Sequence, residues 1–342
     1  MNQLWQSWVD KNQGQIDQEG RLSFSDFLAQ VAAVRTGNAL ALLDNLAIIR
    51  VTGEDAQSFL QGQFSADIRD VTASHAQFST YSTAKGRMLA SFLIWQHEDS
   101  YFLLLSADIA AAIAKRLTMF VMRSKVKVAL QDAAEVQVAG VRGARLEQVV
   151  EAHFTLRQPQ PLTVMQQGGD IAIALPEGGY LVYPVIDSTL PALLQAVDAV
   201  AVSAAAWAIR DIDAGIAWVT LATQEQFVPQ MANMEVIGAV SFKKGCYPGQ
   251  EIVARTQYLG KLKRRLYKAR LARFAAVGSK LFSPELPEQS IGMVAAICQV
   301  AEYEYEALVV VQSACWDKGI YLEAEYINAL EPLALPYPTQ DE

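Results

Sequence analysis

Cysteine is scarce in this chain: three in 342 residues, spaced 52 and 17 residues apart. That spacing holds no C-x-x-C pair, which excludes a disulfide framework and a four-cysteine cluster site built by this chain alone. Long apolar runs are also missing. No stretch approaches the roughly 20 residues a membrane helix needs, and the opening M-N-Q-L-W-Q-S-W-V-D-K lacks the apolar core of a secretory signal. A cytosolic protein without membrane contact is expected. There is no Gly-rich phosphate loop and no internal repeat. The histidines are only three, His75, His97 and His153, and none lies near a cysteine in sequence. The composition, 52% hydrophobic and 19% charged, is that of a folded globular protein long enough for two or three domains. A net charge of -8 argues against indiscriminate nucleic-acid binding.

Against this background, residues 241–251 stand out: S-F-K-K-G-C-Y-P-G-Q-E. Cys298 and Cys315 sit in apolar, strand-like surroundings and are expected in the core. Cys246 instead lies between Gly245 and Gly249, ahead of the turn dipeptide Pro248-Gly249. A turn keeps the sulfur near the surface, and Lys243 and Lys244 put positive charge where a thiolate would be stabilised. Gln250 and Glu251 follow at the expected start of a helix, whose N-terminus favours the thiolate further. On the residues alone, a functional thiol and a cysteine that happens to lie in a loop both remain open. From 252 to 273 there follow eight basic residues and no acidic one. They are either a solvated basic face, the expectation for Lys268 and Arg270, or share one anionic ligand with the cysteine turn.

Period-two and helical patterns alternate without strict order. Strands are expected at 46–51, 78–82, 88–95, 101–106, 125–130, 135–139, 171–175 and 180–183. Helices are expected after the Thr52-Gly53-Glu54-Asp55 cap and at 108–122, 190–200 and 204–212. The segments 265–271, 292–300 and 305–312 suggest a closing small barrel. The class is therefore α+β with mixed or antiparallel sheets, helices and a C-terminal small β-barrel. Three regions are expected: 1–130 and 131–242, both α+β and interleaved in space, and 243–342 with the cysteine segment and the barrel.

These segments resemble the YgfZ family, bacterial folate-binding, tRNA-modification-associated relatives of the glycine cleavage T-protein. Residues 243–255, K-K-G-C-Y-P-G-Q-E-I-V-A-R, look like its K-G-C-Y-x-G-Q-E signature followed by an arginine. Residues 50–67, R-V-T-G-E-D-A-Q-S-F-L-Q-G-Q-F-S-A-D, look like its first strand–helix element. A-K-G-R-M at 84–88 and W-A-I-R-D-I-D-A-G at 207–215 are similar to two further stretches, and the tail E-P-L-A-L-P-Y follows the pattern.

The resemblance implies a T-protein-like fold, a tetrahydrofolate or folate-derivative ligand, and a functional Cys246 supported by Lys244, Gln250 and Glu251. Region 1–130 becomes the folate-binding region and 131–242 ferredoxin-like. Trp207 matches a folate-assigned tryptophan, and Arg255 with the 261–265 cluster is the expected partner of the ligand's glutamate carboxylates. The family's second tryptophan is replaced here by Asn45. The implied function is a folate-binding accessory protein that supports iron–sulfur enzyme assembly or repair, tRNA-thiolating enzymes included, and so tRNA modification indirectly. A monomer without stable nucleic-acid binding is expected. The alternative is a folate-dependent aminomethyl- or methyltransferase. The T-protein, however, carries a carboxylate pair where Ala90 and Ser91 stand here, and without it that chemistry lacks its promoter.

Overall fold

The computed structural model describes residues 3–132, 137–184, 188–258 and 262–338. The chain divides into two units, each assembled from three separate segments. The first comprises Met1–Ala56, Asp70–Gln77 and Leu93–Arg210; the second comprises Gln57–Arg69, Phe78–Phe92 and Asp211–Glu342.

The first unit holds a six-stranded sheet in the order Val164–Gln167, Asp170–Ala174, Tyr180–Tyr183, Ala139–Arg142, Ala39–Leu42, Val200–Val202. All pairs are antiparallel except the last, where Val200–Val202 runs parallel to Ala39–Leu42. Residues two apart on these strands, Leu40 with Leu42 and Ala139 with Val141, pack one core together with Trp5, Trp8, Leu146 and Leu194 from helices. The alternate residues Ala39 and Ala41 are buried as well, so strand Ala39–Leu42 is covered on both faces. In the same unit Leu46–Thr52 pairs with Ser100–Ser106 on one side and Lys127–Leu130 on the other. Helix Ala107–Val121 buries Ile109, Ile113 and Leu117 at helical spacing.

In the second unit, residues 84–87 turn the chain between strands Gln77–Ser82 and Met88–His97. Its C-terminal part is a curled, antiparallel five-stranded half-barrel ordered Lys280–Leu281, Gly292–Ala301, Glu304–Gln312, Arg264–Leu271, Glu331–Leu333. Register shifts at Val294/Ala296 and Gln299/Ala301 bend the longest strand, since a bulge adds local twist. Ala307, Val309 and Val311 fill its concave side with Leu271, Leu281 and Ile320.

The mixed α+β class is as the sequence suggests, and three details differ. The expected 190–200 helix ends at Gln195, and the β-branched Val200–Val202 joins a sheet instead. Cys315 is buried as expected but on the short helix Ser313–Trp316, not on a strand. The expected 135–139 strand begins outside the described residues; the observed one is Ala139–Arg142.

Candidate functional site

The cysteine segment lies wholly in the second unit. Its two lysines, equivalent in sequence, point differently: Lys243 is exposed and Lys244 is buried. The Lys244 Nζ donates to three backbone carbonyls, Gln61 O at 2.7 Å, Phe64 O at 2.6 Å and Ala66 O at 2.8 Å. It also sits over the buried Tyr247 ring, 5.3 Å from the centroid. Three donors meeting three acceptors is the full capacity of an ammonium. The Lys244 charge is thus committed to the 61–66 backbone, which corrects the expectation that it serves the thiolate. Burial pushes its pKa from 10.5 down to about 8, with Asp67 opposing and Arg69 adding to the shift.

The clamped stretch has its own polar framework. Gln61 donates to Asp67 Oδ1 at 3.1 Å and accepts from the Ile68 N–H at 2.8 Å. Arg69 grips Asp67 with both arms, at 2.9 and 2.5 Å. The Arg69 hydrogen bond holds the Asp67 carboxyl down to about 2. Sequence reasoning missed these residues as members of the site. The signal was the quoted 50–67 element, which ends on Asp67.

Two residues beyond Lys244, Cys246 is exposed, and Pro248-Gly249 makes the expected turn. Gly249 has φ +81, and a Cβ there would lie 2.5 Å from Thr83 O and 2.7 Å from Gly86 Cα. Only glycine allows both that backbone angle and that approach. Helix Gln250–Tyr258 starts immediately after, with Glu251 exposed in its first turn and Arg255 exposed further along. Gln250 Nε2 reaches back to the Lys244 carbonyl at 3.5 Å. Cys246, Lys244, Gln250, Glu251 and Arg255 therefore belong to one turn–helix element.

Trp207 and Asn45 belong to the first unit. Trp207 is 3% exposed, and its indole lies on Gly140, where a Cβ would meet ring carbons at 2.7 Å. Asn45 is exposed in a turn, its carbonyl accepting from the Ala107 N–H at 2.9 Å. The histidines are in the first unit too; His97 bonds Gln166 and His153 bonds Asp170.

The basic run does not form one cationic face. Arg265, 4% exposed, pairs with the buried Glu235 at 2.8 Å. Lys268 pairs with Asp213 and Glu306 at 2.7 and 2.9 Å, Arg270 with Glu304 and Glu331, and Arg273 with Glu323. These acids are distant in sequence, so the expected solvated face for Lys268 and Arg270, and the ligand-facing role for Arg265, are both corrected. Lys261 lies outside the described residues. At the transferase position, Ala90 is fully buried and the Ser91 hydroxyl accepts from the Val219 N–H at 2.9 Å.

Exposure sets an order of thiol reactivity. Cys246 should alkylate first, because Cys298 is 4% exposed and Cys315 fully buried, with burial also raising the Cys315 pKa. Iodoacetamide labelling followed by mass spectrometry checks this, and Cys246 reacting last would defeat the assignment of an accessible turn.

No helix among the described residues is long and apolar enough to cross a membrane. No family model matches the chain. It is 30% identical over 273 residues to the tRNA-modifying protein YgfZ of Vibrio vulnificus (strain YJ016), covering 79% of each chain. It is 26% identical over 317 residues to the tRNA-modifying protein YgfZ of Escherichia coli O127:H6, covering 91% of this chain and 96% of that one. Among solved structures, the glycine cleavage system aminomethyltransferase T from Bartonella henselae superposes with a TM-score of 0.79 at 17% identity, over 97% of this chain and 96% of that one. The fold is therefore that of the T-protein, and with its signature cysteine on a clamped, open turn and its sequence shared over most of its length, the chain belongs to the YgfZ family.

Proposed function

We propose that this protein is a cytoplasmic, monomeric folate-binding accessory factor. It supports iron–sulfur enzymes and, through them, tRNA modification, with Cys246 as its working thiol. The observation that carries the reading is the turn itself: a cysteine open to solvent on a segment whose backbone is pinned by Lys244 and by the Gly249 approach. A pinned backbone keeps the sulfur in one place, as a thiol with a defined partner requires. No histidine accompanies Cys246 in its unit, so a Cys–His nucleophile pair within that unit is not part of the reading.

Of the residues expected to hold the folate, Asn45 and Arg255 fit as open polar and cationic groups. Trp207, with its ring buried against Gly140, does not fit as an open stacking surface. In this reading Trp207 fixes backbone within the first unit rather than touching the pterin, and Arg255 of the second unit offers a cation for an acidic tail. Folate, when bound, would supply one-carbon chemistry. The chain's own residues supply the accessible thiol and its positioning. The transferase alternative is disfavoured by the Ala90 and Ser91 pair, since a serine whose oxygen already accepts a buried backbone N–H cannot replace a promoting carboxylate. No stable RNA complex is part of the proposal, given the net charge of -8.

The test is a deletion strain complemented with Cys246→Ala, with thiolated tRNA quantified by mass spectrometry. The variant should accumulate as a folded protein and leave thiolated tRNA at the level of the deletion strain. Full restoration would remove Cys246 from the mechanism.

A further inference from the structure

Helix Ala107–Val121 of the first unit has an apolar end that its own packing does not use. Its core face, Ile109, Ile113 and Leu117, is buried. Met119 is 62%, Phe120 45% and Met122 86% exposed. Among the described residues, nowhere else do three large exposed apolar side chains fall within four consecutive positions. Met122 ends the helix at φ 48, in the left-handed region that a bulky side chain disfavours. Apolar exposure and a left-handed backbone both cost stability, and together they point to a role outside the folding of this chain.

The turn that presents Met122 is held firmly. Gly53, at φ +118, packs so close to it that a Cβ there would collide with Lys125 O. The Lys125 N–H donates to Asp55 Oδ2 at 2.8 Å, and its Nζ pairs with Glu54 at 2.6 Å. Strand Lys127–Leu130 follows directly. It is the last of its sheet and pairs on one side with Leu46–Thr52. The Gln131 N–H bonds Ile48 O at 2.8 Å. By the alternation of an antiparallel pair, Ala129 then turns its N–H and C=O toward Leu46–Thr52, and Val128 and Leu130 turn theirs outward. Charge on this stretch has one sign. From 109 to 131 there are Lys115, Arg116, Arg123, Lys125 and Lys127 and no acid, in a chain of net charge -8. Lys115, Arg123 and Lys127 are exposed, and Arg116 lies over the Phe120 ring, 5.7 Å from its centroid. Glu54 and Asp55 sit against the turn, and both bond Lys125.

We propose that the end of this helix and the open edge of Lys127–Leu130 form a docking surface for a partner protein that presents an extended segment of alternating acidic and apolar residues. The apolar side chains of the segment cover Met119, Phe120 and Met122, and methionine adapts its shape to what it meets. The acidic ones meet Lys115, Arg123 and Lys127. The segment's backbone pairs with the outward N–H and C=O groups of Val128 and Leu130. A protein segment is favoured over an anionic membrane for two reasons. A lipid surface has no use for an open strand edge. It also faces the whole protein, whose net charge of -8 it repels, whereas a segment senses the cations within a Debye length of about 8–10 Å. The surface belongs to the first unit and Cys246 to the second. The proposal therefore goes beyond the folate and thiol reading, and a failure of that reading in complementation leaves it untouched.

The experiment uses the full chain and a fluorescein-labelled peptide, Glu-Val-Glu-Phe-Glu-Val-Glu, read by fluorescence anisotropy. A counterpart with Lys in place of every Glu, and vesicles of phosphatidylserine with phosphatidylcholine, form the other arms. The acidic peptide should bind, more weakly as salt rises, and at saturation it should slow amide hydrogen exchange at Val128 and Leu130. Affinity should fall about tenfold in Met122→Asn, the scale of one apolar side chain removed from a contact. Val128→Pro removes an outward N–H that the sheet does not use, so it should melt near the parent and lose the peptide. Binding should be unchanged in Ile327→Ser, whose apolar side chain is 73% exposed but lies in the second unit. Met122→Asn should itself melt no lower than the parent, since Asn tolerates the left-handed backbone, and this keeps the test decisive if Val128→Pro folds poorly. The proposal is overturned if the acidic peptide fails to bind at millimolar concentration or if its binding survives both variants. Unchanged exchange at Val128 and Leu130, or binding of the vesicles or the basic peptide in its place, overturns it equally.

Discussion

Trp207→Ala should lose about 3–5 kcal/mol of folding stability in the absence of any ligand, the range for deleting a fully packed aromatic side chain. The indole is 3% exposed, and Gly140 has no Cβ because the ring occupies that place, so its removal leaves a cavity on a rigid sheet. Urea denaturation of the ligand-free proteins measures the loss. A companion substitution sharpens the expectation. Gly140→Ala drives a methyl to within 2.7 Å of the ring carbons and should cost about 1–3 kcal/mol by overpacking. In the Trp207→Ala background that cost should largely vanish, a coupling seen only when two groups share one space. A Trp207→Ala protein as stable as the parent, with only ligand affinity reduced, would return this tryptophan to the role its sequence match suggests.

Replacing Lys244 sets two effects against each other. Lys244→Met relieves the burial of an ammonium whose pKa is pushed down from 10.5 to about 8. It also strips the donor from three carbonyls, each worth about 1–3 kcal/mol when left unsatisfied. The carbonyls outweigh the relief, and the variant should be destabilised by about 3 kcal/mol. The pH dependence follows from the same shift. With the folded value below the unfolded one, the unfolded chain holds more protons between about pH 8 and 10.5, so the parent gains stability across that window and loses it again as pH falls toward 8. Lys244→Met lacks this gain, so the gap between the two proteins should widen as pH rises through the window. Chemical denaturation at pH 7, 8.5 and 10 reads both predictions. A gap that stays constant or closes would mean that the ammonium is not buried as described.

Local patterns were legible because their causes are local. The strand Leu46–Thr52, the helix Ala107–Val121 and the turn at Pro248-Gly249 follow from period, cap and turn chemistry within a few residues. The exposure of Cys246 followed from its glycines for the same reason. Charge partnership was not legible, because it is settled across the fold. Arg265 meets Glu235 from 30 residues away, and Lys268 meets Asp213 from 55. Lys243 and Lys244 carry identical chemistry one bond apart, and only the path of the 61–66 backbone decides which one turns inward. Trp207 shows the limit of a motif match. The match identifies the residue, while its surroundings, above all a missing Cβ at Gly140, decide what the ring touches.

The division of each unit among three chain segments has a consequence for the order of events during synthesis. Residues 57–69 and 78–92 emerge early, but the rest of their unit begins only at Asp211. At about 5–20 residues per second, the ribosome needs on the order of ten seconds to cover the intervening stretch. Throughout that interval the carbonyls at 61, 64 and 66 have no ammonium, and the 84–87 turn has no Gly249 to rest on. The first unit, by contrast, has all its segments once Arg210 is made. A nascent chain stalled near residue 215 would therefore present a completed first unit together with the 57–69 and 78–92 segments of an unfinished second one. This is the kind of surface that chaperones hold, and holding it until the cysteine turn is translated makes the last third of the chain the step that commits the protein to its native state.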